Sequence, residues 1–265
     1  SRAVYGEGAY HCRAHGTVYP SGRSLDALSQ HDWSMKCPQC GQPAESLPTG
    51  EDAPLVAGSV YAQTKLFQEE ICRLMSTTHG VPLVILRYFN VYGPRQALTN
   101  PYTGVIATFC TRLLNGKSIA VYEEGVPQRD FVHVRDVVQA NLRALASDLD
   151  AGHAPVFNVG TGQTLSLATI AETVCEAAGH PGAFERTTRH RIGDILSCTA
   201  DLSASRTALG YAPSVSFADG IIELVEWLKG QRQPEDRSEQ VAAELAAKGL
   251  MLGADSPGRP DTRQN

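Results

Sequence analysis

The sequence predicts an α/β protein: part of a doubly wound parallel sheet, a smaller α/β domain, and a ribbon-like insertion near the start that binds metal. Three observations lead there. A helical pattern opens at Tyr61, is ended by Gly80 and runs into residues 81–88, an apolar run of the kind needed by a parallel strand covered on both faces; helix followed by buried strand is the repeat of such sheets. The same alternation returns with a helix at 136–146 and a strand at 156–159. Between Cys12 and Cys40, two closely spaced pairs of metal-binding residue types interrupt the pattern.

With 265 residues, 42% of them hydrophobic, the chain can bury a full core as one large domain or two moderate ones. The formal net charge of −5 argues against a broad electrostatic footprint for nucleic acid or an anionic membrane, so an anionic ligand must be met by local arginines. No run approaches the roughly 18 apolar residues that a spanning helix needs, and no basic stretch followed by an apolar one opens the chain. A cytoplasmic location is the default expectation, with no nucleic-acid and no membrane partner.

Residues 1–5 read as the end of a strand already under way, and the chain opens on Ser1 rather than methionine, so an amino-terminal part is expected to be missing. The insertion follows at about 8–48. Cys12 and His15 form a Cys-x-x-His pair, and Cys37 and Cys40 a Cys-x-x-Cys pair, with Gly16 and Gly41 relaxing the backbone where it folds back. Zinc suits this donor set better than iron or copper. Unrelated free thiols, or two disulfides that leave His15 idle, are the alternatives. Four protein ligands leave no position for water, which favours a structural ion, and the polar, turn-rich segment between them is expected to rely on metal instead of a core. Cys72, Cys110, Cys175 and Cys198 lie far apart and read as buried, inert thiols.

After a loop at 48–58, Leu66, Ile71, Leu74 and Met75 recur near helical spacing in the helix opened by Tyr61. Beyond a turn at Gly93-Pro94 the expected elements are a helix at 105–114, strands at 118–122 and 130–134, the 136–146 helix, the 156–159 strand, a helix at 167–178 closed by Gly179, and a last helix at 218–229. Past Gly230 the chain turns polar, with one weak helical stretch at 239–247, and is expected to be a mobile tail.

Tyr61 and Lys65 stand four apart at a helix start, so they share one face a turn apart. An ammonium beside a phenol favours the phenolate, as a general base for a sugar hydroxyl requires. Taken alone the spacing is weak, since a solvated helix carries it with no chemistry attached.

Five ordered strings change that weight: Ser1-Arg2-Ala3-Val4-Tyr5-Gly6, Ser59-Val60-Tyr61-Ala62-Gln63-Thr64-Lys65, Arg87-Tyr88-Phe89-Asn90-Val91-Tyr92-Gly93-Pro94, Gln128-Arg129-Asp130-Phe131-Val132-His133-Val134-Arg135-Asp136, and Phe157-Asn158-Val159-Gly160. Through them the chain resembles the extended short-chain dehydrogenase/reductases, the NAD-dependent sugar-nucleotide epimerases and dehydratases, over residues 1–231. The resemblance implies a Rossmann-type sheet for 1–92 apart from the insertion, a substrate domain over 93–230 with segments near 130–146 and 156–160 returning to the sheet, and a polar tail at 231–265. It also implies roles. Ser1 falls on the serine or threonine that hydrogen-bonds the reacting sugar oxygen, Tyr61 on the base, and Lys65 on the residue that holds the nicotinamide ribose. Tyr88 and Phe89 fall where the family positions the nicotinamide end, although strand-end packing explains them equally well without it. Asn90 falls on a contact to the nucleotide-sugar, Tyr122 on a residue that packs against the base, Arg129 and Arg191 on diphosphate-gripping arginines, and Asp194 on an acidic group near the ribose. Either arginine alone reads as a solvated surface residue.

Arg2 and Ala3 stand where dehydratases and decarboxylases of this family usually carry an acidic residue, so epimerisation is favoured. The insertion, together with Gln96-Ala97-Leu98-Thr99-Asn100-Pro101-Tyr102-Thr103-Gly104, is similar to a bacterial dTDP-L-rhamnose 4-epimerase-like subgroup. The family's glycine-rich turn for the cofactor diphosphate matches no segment here, so the cofactor NAD is expected to need residues outside this chain. A 4-epimerase with structural zinc, dimeric when full length, is the first expectation. A 4,6-dehydratase or reductase is the second, and a catalytically silent zinc-bearing binding module the third.

Overall fold

The computed structural model describes residues 1–97, 104–148, 154–231 and 235–253; six residues of the Gln96-to-Gly104 string, 98–103, and the tail beyond 253 lie outside them. Instead of ending a strand, Arg2–Tyr5 forms a 3-10 turn capped by Ser1, whose Oγ accepts from the Ala3 N–H at 3.4 Å. A strand needs a neighbour. Among the described residues the backbone bonds of this segment are local turn bonds apart from one, Val56 N–H to the Val4 carbonyl at 2.7 Å.

The insertion is a small antiparallel sheet in which β1 (Tyr10–Cys12) lies between β2 (Gly16–Val18) and β3 (Glu45–Ser46), with a short helix α1 (Leu25–Ser29) between β2 and β3. It does build a core, contrary to expectation: Tyr10, Cys12, Val18, Met35 and Cys37 are buried together, with Ala44 and Leu196 against them. Two of those five are candidate metal ligands.

The expected loop at 48–58 begins with β4 (Pro48–Thr49), after which α2 (Val60–His79) runs from the Ser59 cap to Gly80, whose φ of 66° terminates it. Its buried residues are Ala62, Glu69 and Ser76, a seven-residue spacing of small and polar side chains. Ile71, Leu74 and Met75 are instead 59%, 67% and 51% exposed; of the four apolar positions, Leu66 alone reaches the core. Cys72, on the same helix, is exposed, whereas Cys110, Cys175 and Cys198 are buried as expected.

The strand expected at 81–88 is shortened to β5 (Ile85–Tyr88), which pairs in parallel with β10 (Val156–Val159), Ile85 opposite Val156 and Tyr88 opposite Val159. Between them in sequence come β6 (Asn90–Tyr92), α3 (Val105–Leu114), β7 (Ile119–Val121), β8 (Gln128–Arg129), β9 (Phe131–His133) and α4 (Val134–Leu145). Following β10 are β11 (Leu165–Ser166), α5 (Leu167–Ala177), β12 (Phe184–Arg186), β13 (His190–Arg191), β14 (Thr199–Ala200), α6 (Ser203–Leu209) and α7 (Phe217–Lys229). β4 and β14, β6 and β9, and β7 and β12 are further parallel pairs, as an α/β architecture requires.

Two hydrophobic cores result. One gathers Val4, Tyr5, Phe89, Val132, Val159 and Leu202 around the β5–β10 pair, and the other gathers Phe109, Ile119, Ile170, Val174, Ile221 and Leu224 from α3, β7, α5 and α7. The segment expected to be a detached tail packs back in part: α8 (Ser238–Ala247) leads to β15 (Met251–Leu252), which pairs antiparallel with β13. Asp236 anchors it, 3.1 Å from Lys117 and 3.7 Å from Arg112. Among the described residues no helix is long and apolar enough to cross a membrane.

Candidate active site and metal centre

The first turn of α2 presents Tyr61 to solvent, 59% exposed. Lys65 lies one turn on, with Nζ 5.6 Å from the centre of the Tyr61 ring and 3.1 Å from Gln68 Oε1. The pair is therefore together on one face, with the ammonium over the ring. The turn carrying Ser1 packs against the same helix. What fixes the helix is Arg87, the polar residue inside the apolar run of β5: its Nε and Nη2 meet the two carboxylate oxygens of Glu69 at 3.0 and 2.8 Å, and its Nη1 donates to the Tyr5 hydroxyl at 2.8 Å. Tyr5 passes its own proton to Asn158 Oδ1 at 2.8 Å. A charge placed in a buried strand needs such a partner, so the position was a signal that the apolar reading of 81–88 missed.

Tyr88 turns to α4, where its hydroxyl donates to Asn141 Oδ1 at 2.9 Å, and Phe89 is buried beside Tyr5 with ring centres 6.4 Å apart. Both are engaged in packing. Asn90, at the exit of β5, has a buried Oδ1 with no hydrogen-bond partner among the described residues. A buried amide oxygen left open at a strand's carboxyl end suits a ligand contact.

Tyr122, Arg129, Arg191 and Asp194 line one cavity of about 570 Å³. That volume is ample for a nucleotide-sized ligand. Arg191 sits 6.0 Å from the Tyr122 ring centre, and its Nε lies 3.1 Å from Asp194 Oδ2. Arg129 donates to the Leu196 carbonyl at 3.2 Å; burial, with Arg2 nearby, pulls its guanidinium down to about 10. Phe109 and Leu167 give the cavity an apolar side, and Val241, Ala242 and Leu245 of α8 form a wall that the expectation of a mobile tail concealed. Tyr61 and Lys65 are not among its lining residues.

In the insertion, Cys12, His15, Cys37 and Cys40 bring their ligand atoms within 4.8 Å of one another. Cys12 Sγ is 3.7 Å from both His15 Nδ1 and Cys40 Sγ, and Cys37 Sγ is 3.6 Å from His15 Nδ1. A tetrahedral ion bonded at about 2.3 Å to sulfur and about 2.0 Å to nitrogen holds its ligand atoms roughly 3.5–3.8 Å apart, and these three separations fall within that range. His15 beside it holds the Cys12 thiol down at about 6, which favours the thiolate that metals bind.

Over residues 37–160 the chain matches the NAD dependent epimerase/dehydratase family. Among similar proteins is a dTDP-L-rhamnose 4-epimerase of Burkholderia thailandensis, 39% identical over 238 residues, 86% of this chain and 61% of that protein. A dTDP-glucose 4,6-dehydratase of an Actinoplanes species is 36% identical over 71% of this chain and 57% of its own length. A solved structure of a UDP-N-acetylglucosamine 4-epimerase from Methanobrevibacter ruminantium, in complex with UDP-N-acetylmuramic acid, is 30% identical with a TM-score of 0.64, over 71% of this chain and 59% of that one. The chain thus spans about three-fifths of the length of these relatives.

Proposed function

We propose that this chain supplies the proton-transfer and nucleotide-binding residues of a nucleotide-sugar epimerase, a 4-epimerase acting on a dTDP- or UDP-hexose through a 4-keto intermediate. The observation that carries the reading is the convergence of Tyr122, Arg129, Arg191 and Asp194 on one cavity. Planar guanidinium groups suit a diphosphate, and an aromatic face suits a base.

In this reading Tyr61 accepts the proton of the sugar 4-hydroxyl, Ser1 hydrogen-bonds the same oxygen, and Lys65 holds the nicotinamide ribose. NAD, when bound, supplies a reversible hydride acceptor for the sugar carbon. Tyr61 then returns its proton once the keto-sugar presents its other face, so the net change is inversion at one carbon. Tyr61 and Lys65 lie toward solvent on α2 and fit a cofactor approaching from outside this chain. Tyr88 and Phe89, tied into the core, would contribute to the nicotinamide end mainly by shaping it, and Asn90 would contact the sugar-nucleotide.

The metal site is assigned to structural zinc on the spacing of its four ligand atoms. A cytoplasmic homodimer fits the exposed apolar face of α2, where Phe67, Ile71, Leu74 and Met75 lack a covering element among the described residues. Dehydratase chemistry is the second reading, favoured by the likeness to a dTDP-glucose 4,6-dehydratase and opposed by Arg2 and Ala3 after Ser1. Incubating the full-length protein with NAD and a dTDP-hexose decides between them. The C4 epimer, abolished by Tyr61→Phe, is expected; accumulation of a 4-keto-6-deoxy sugar would sink the epimerase assignment.

A further inference from the structure

The metal-bearing insertion reaches the cavity through two side chains. Arg23, between β2 and α1, has a side chain only 2% exposed that forms a buried ion pair with the Glu123 side chain, 3% exposed; its Nη2 also donates to the Asp194 carbonyl at 2.9 Å. Trp33 donates Nε1–H to Glu124 Oε2 at 2.8 Å, and its ring meets His190 edge-on at 5.6 Å. These four contacted residues flank Tyr122 and Arg191 in sequence, and Glu123 and Asp194 themselves line the cavity.

The contacts fall where the backbone most needs support. Glu123 and Glu124 are consecutive non-glycine residues at φ 50° and 54°, in the left-handed region that L side chains rarely adopt. Such a conformation persists only when its surroundings over-determine it. Here the Glu123 and Glu124 backbone N–H groups donate to the Arg189 and Thr187 carbonyls at 2.9 and 2.8 Å, and the side chains of Arg23 and Trp33 hold the two glutamates, one on each. The same insertion holds the adjoining stretch, since Tyr10 O–H lies 3.3 Å from the Ser197 carbonyl and Leu196 packs into the insertion's small core. Two of the five residues of that small core, Cys12 and Cys37, are candidate metal ligands, so an ion held there would order the same core that carries these contacts.

We infer that the metal-held insertion is a buttress for the nucleotide wall, with Arg23 and Trp33 as positioning residues, so that metal occupancy and affinity for a nucleoside diphosphate are linked. This rests on the cavity being the nucleotide site. The linkage makes the insertion a determinant of ligand binding without touching the ligand, and it ties Cys12, His15, Cys37 and Cys40 to the site through side chains instead of through chemistry.

The test is calorimetric titration of dTDP, with UDP in parallel, into this chain in zinc-loaded and chelator-stripped form, alongside Arg23→Met, Trp33→Phe and Arg191→Ala. Arg23→Met and stripping should each weaken binding by on the order of tenfold, as expected when a positioned group shifts. Their combination should weaken it little beyond stripping alone, because loss of the metal releases the contact that Arg23→Met removes. Zinc content, read by mass spectrometry, should be unchanged in Arg23→Met. If that variant does not fold, Trp33→Phe, which keeps the ring and loses the donor, carries the same comparison. Wild-type affinity in both insertion variants, with binding lost in Arg191→Ala, would overturn the buttress and leave the cavity assignment standing. No dTDP or UDP binding by the wild type, or undiminished binding in Arg191→Ala, would overturn both.

Discussion

Replacing Glu69 with alanine strips a two-point carboxylate from Arg87 and leaves the guanidinium in place, 2% exposed, facing only the Tyr5 hydroxyl at 2.8 Å and the Glu51 carbonyl at 3.2 Å. Breaking a buried pair from one side leaves an uncompensated charge and costs about 3–5 kcal/mol. Against a net stability of roughly 5–15 kcal/mol for a domain, that is a large fraction. Arg87→Met should cost a similar amount, since Glu69 is then the unpaired charge. The double variant Glu69→Leu, Arg87→Met removes both charges and forfeits the two charge-assisted hydrogen bonds to Tyr5 and Glu51, but apolar side chains of similar volume in place of a buried ion pair are often neutral or stabilising. It should therefore be more stable than either single variant. Guanidinium unfolding followed by far-ultraviolet dichroism measures all three. A loss below about 1 kcal/mol for Glu69→Ala, or a double variant as unstable as the two losses summed, would refute the claim that this pair pins α2 to β5.

His133, fully buried, supplies a pH dependence. Burial holds its imidazole below the usual range, and its Nδ1 accepts from the Arg135 N–H at 3.3 Å; Glu223, 3.9 Å from Nε2, and Asp136 pull the other way, while Arg135 adds to the lowering. The unfolded chain takes up this proton near pH 6.5 and the folded chain only at lower pH, so stability should fall as pH drops from about 6.5. His133→Gln should flatten that slope in chemical unfolding at pH 7 and pH 5.5; an unchanged slope would contradict the assignment. Cys37→Ser should lose bound zinc, read by mass spectrometry, and lower the melting temperature, whereas retention of zinc would show that the other three residues and a different donor suffice.

Much of this was legible in the sequence where local chemistry decides. The 105–114 helix and the 156–159 strand have the expected bounds, because their apolar periods agree with their packing. The clustering of Cys12, His15, Cys37 and Cys40 was legible because two-residue spacings leave little geometric freedom; of the cavity residues only Arg129 sits in one of the matching strings. What escaped depends on distant parts of the chain. Arg23 and Glu123, one hundred positions apart, meet only after folding, and no local pattern announces them. Residues 1–5 read as a strand because their composition suits one, but a strand is made by a neighbour. The stretch at 239–247 is too weakly amphipathic to predict docking; Asp236, held by Lys117 and Arg112, decides it. Seven-residue spacing of Ala62, Glu69 and Ser76, and not the apolar positions, sets the buried face of α2.

The central claim, epimerisation at C4 by removal and return of the same hydrogen, is tested most directly by turnover of a dTDP-hexose deuterated at C4 with the full-length protein and NAD. Nuclear magnetic resonance of the products should show deuterium retained at C4 in both epimers. Deuterium moved to C6, or a product pool with no C4 epimer, would contradict it.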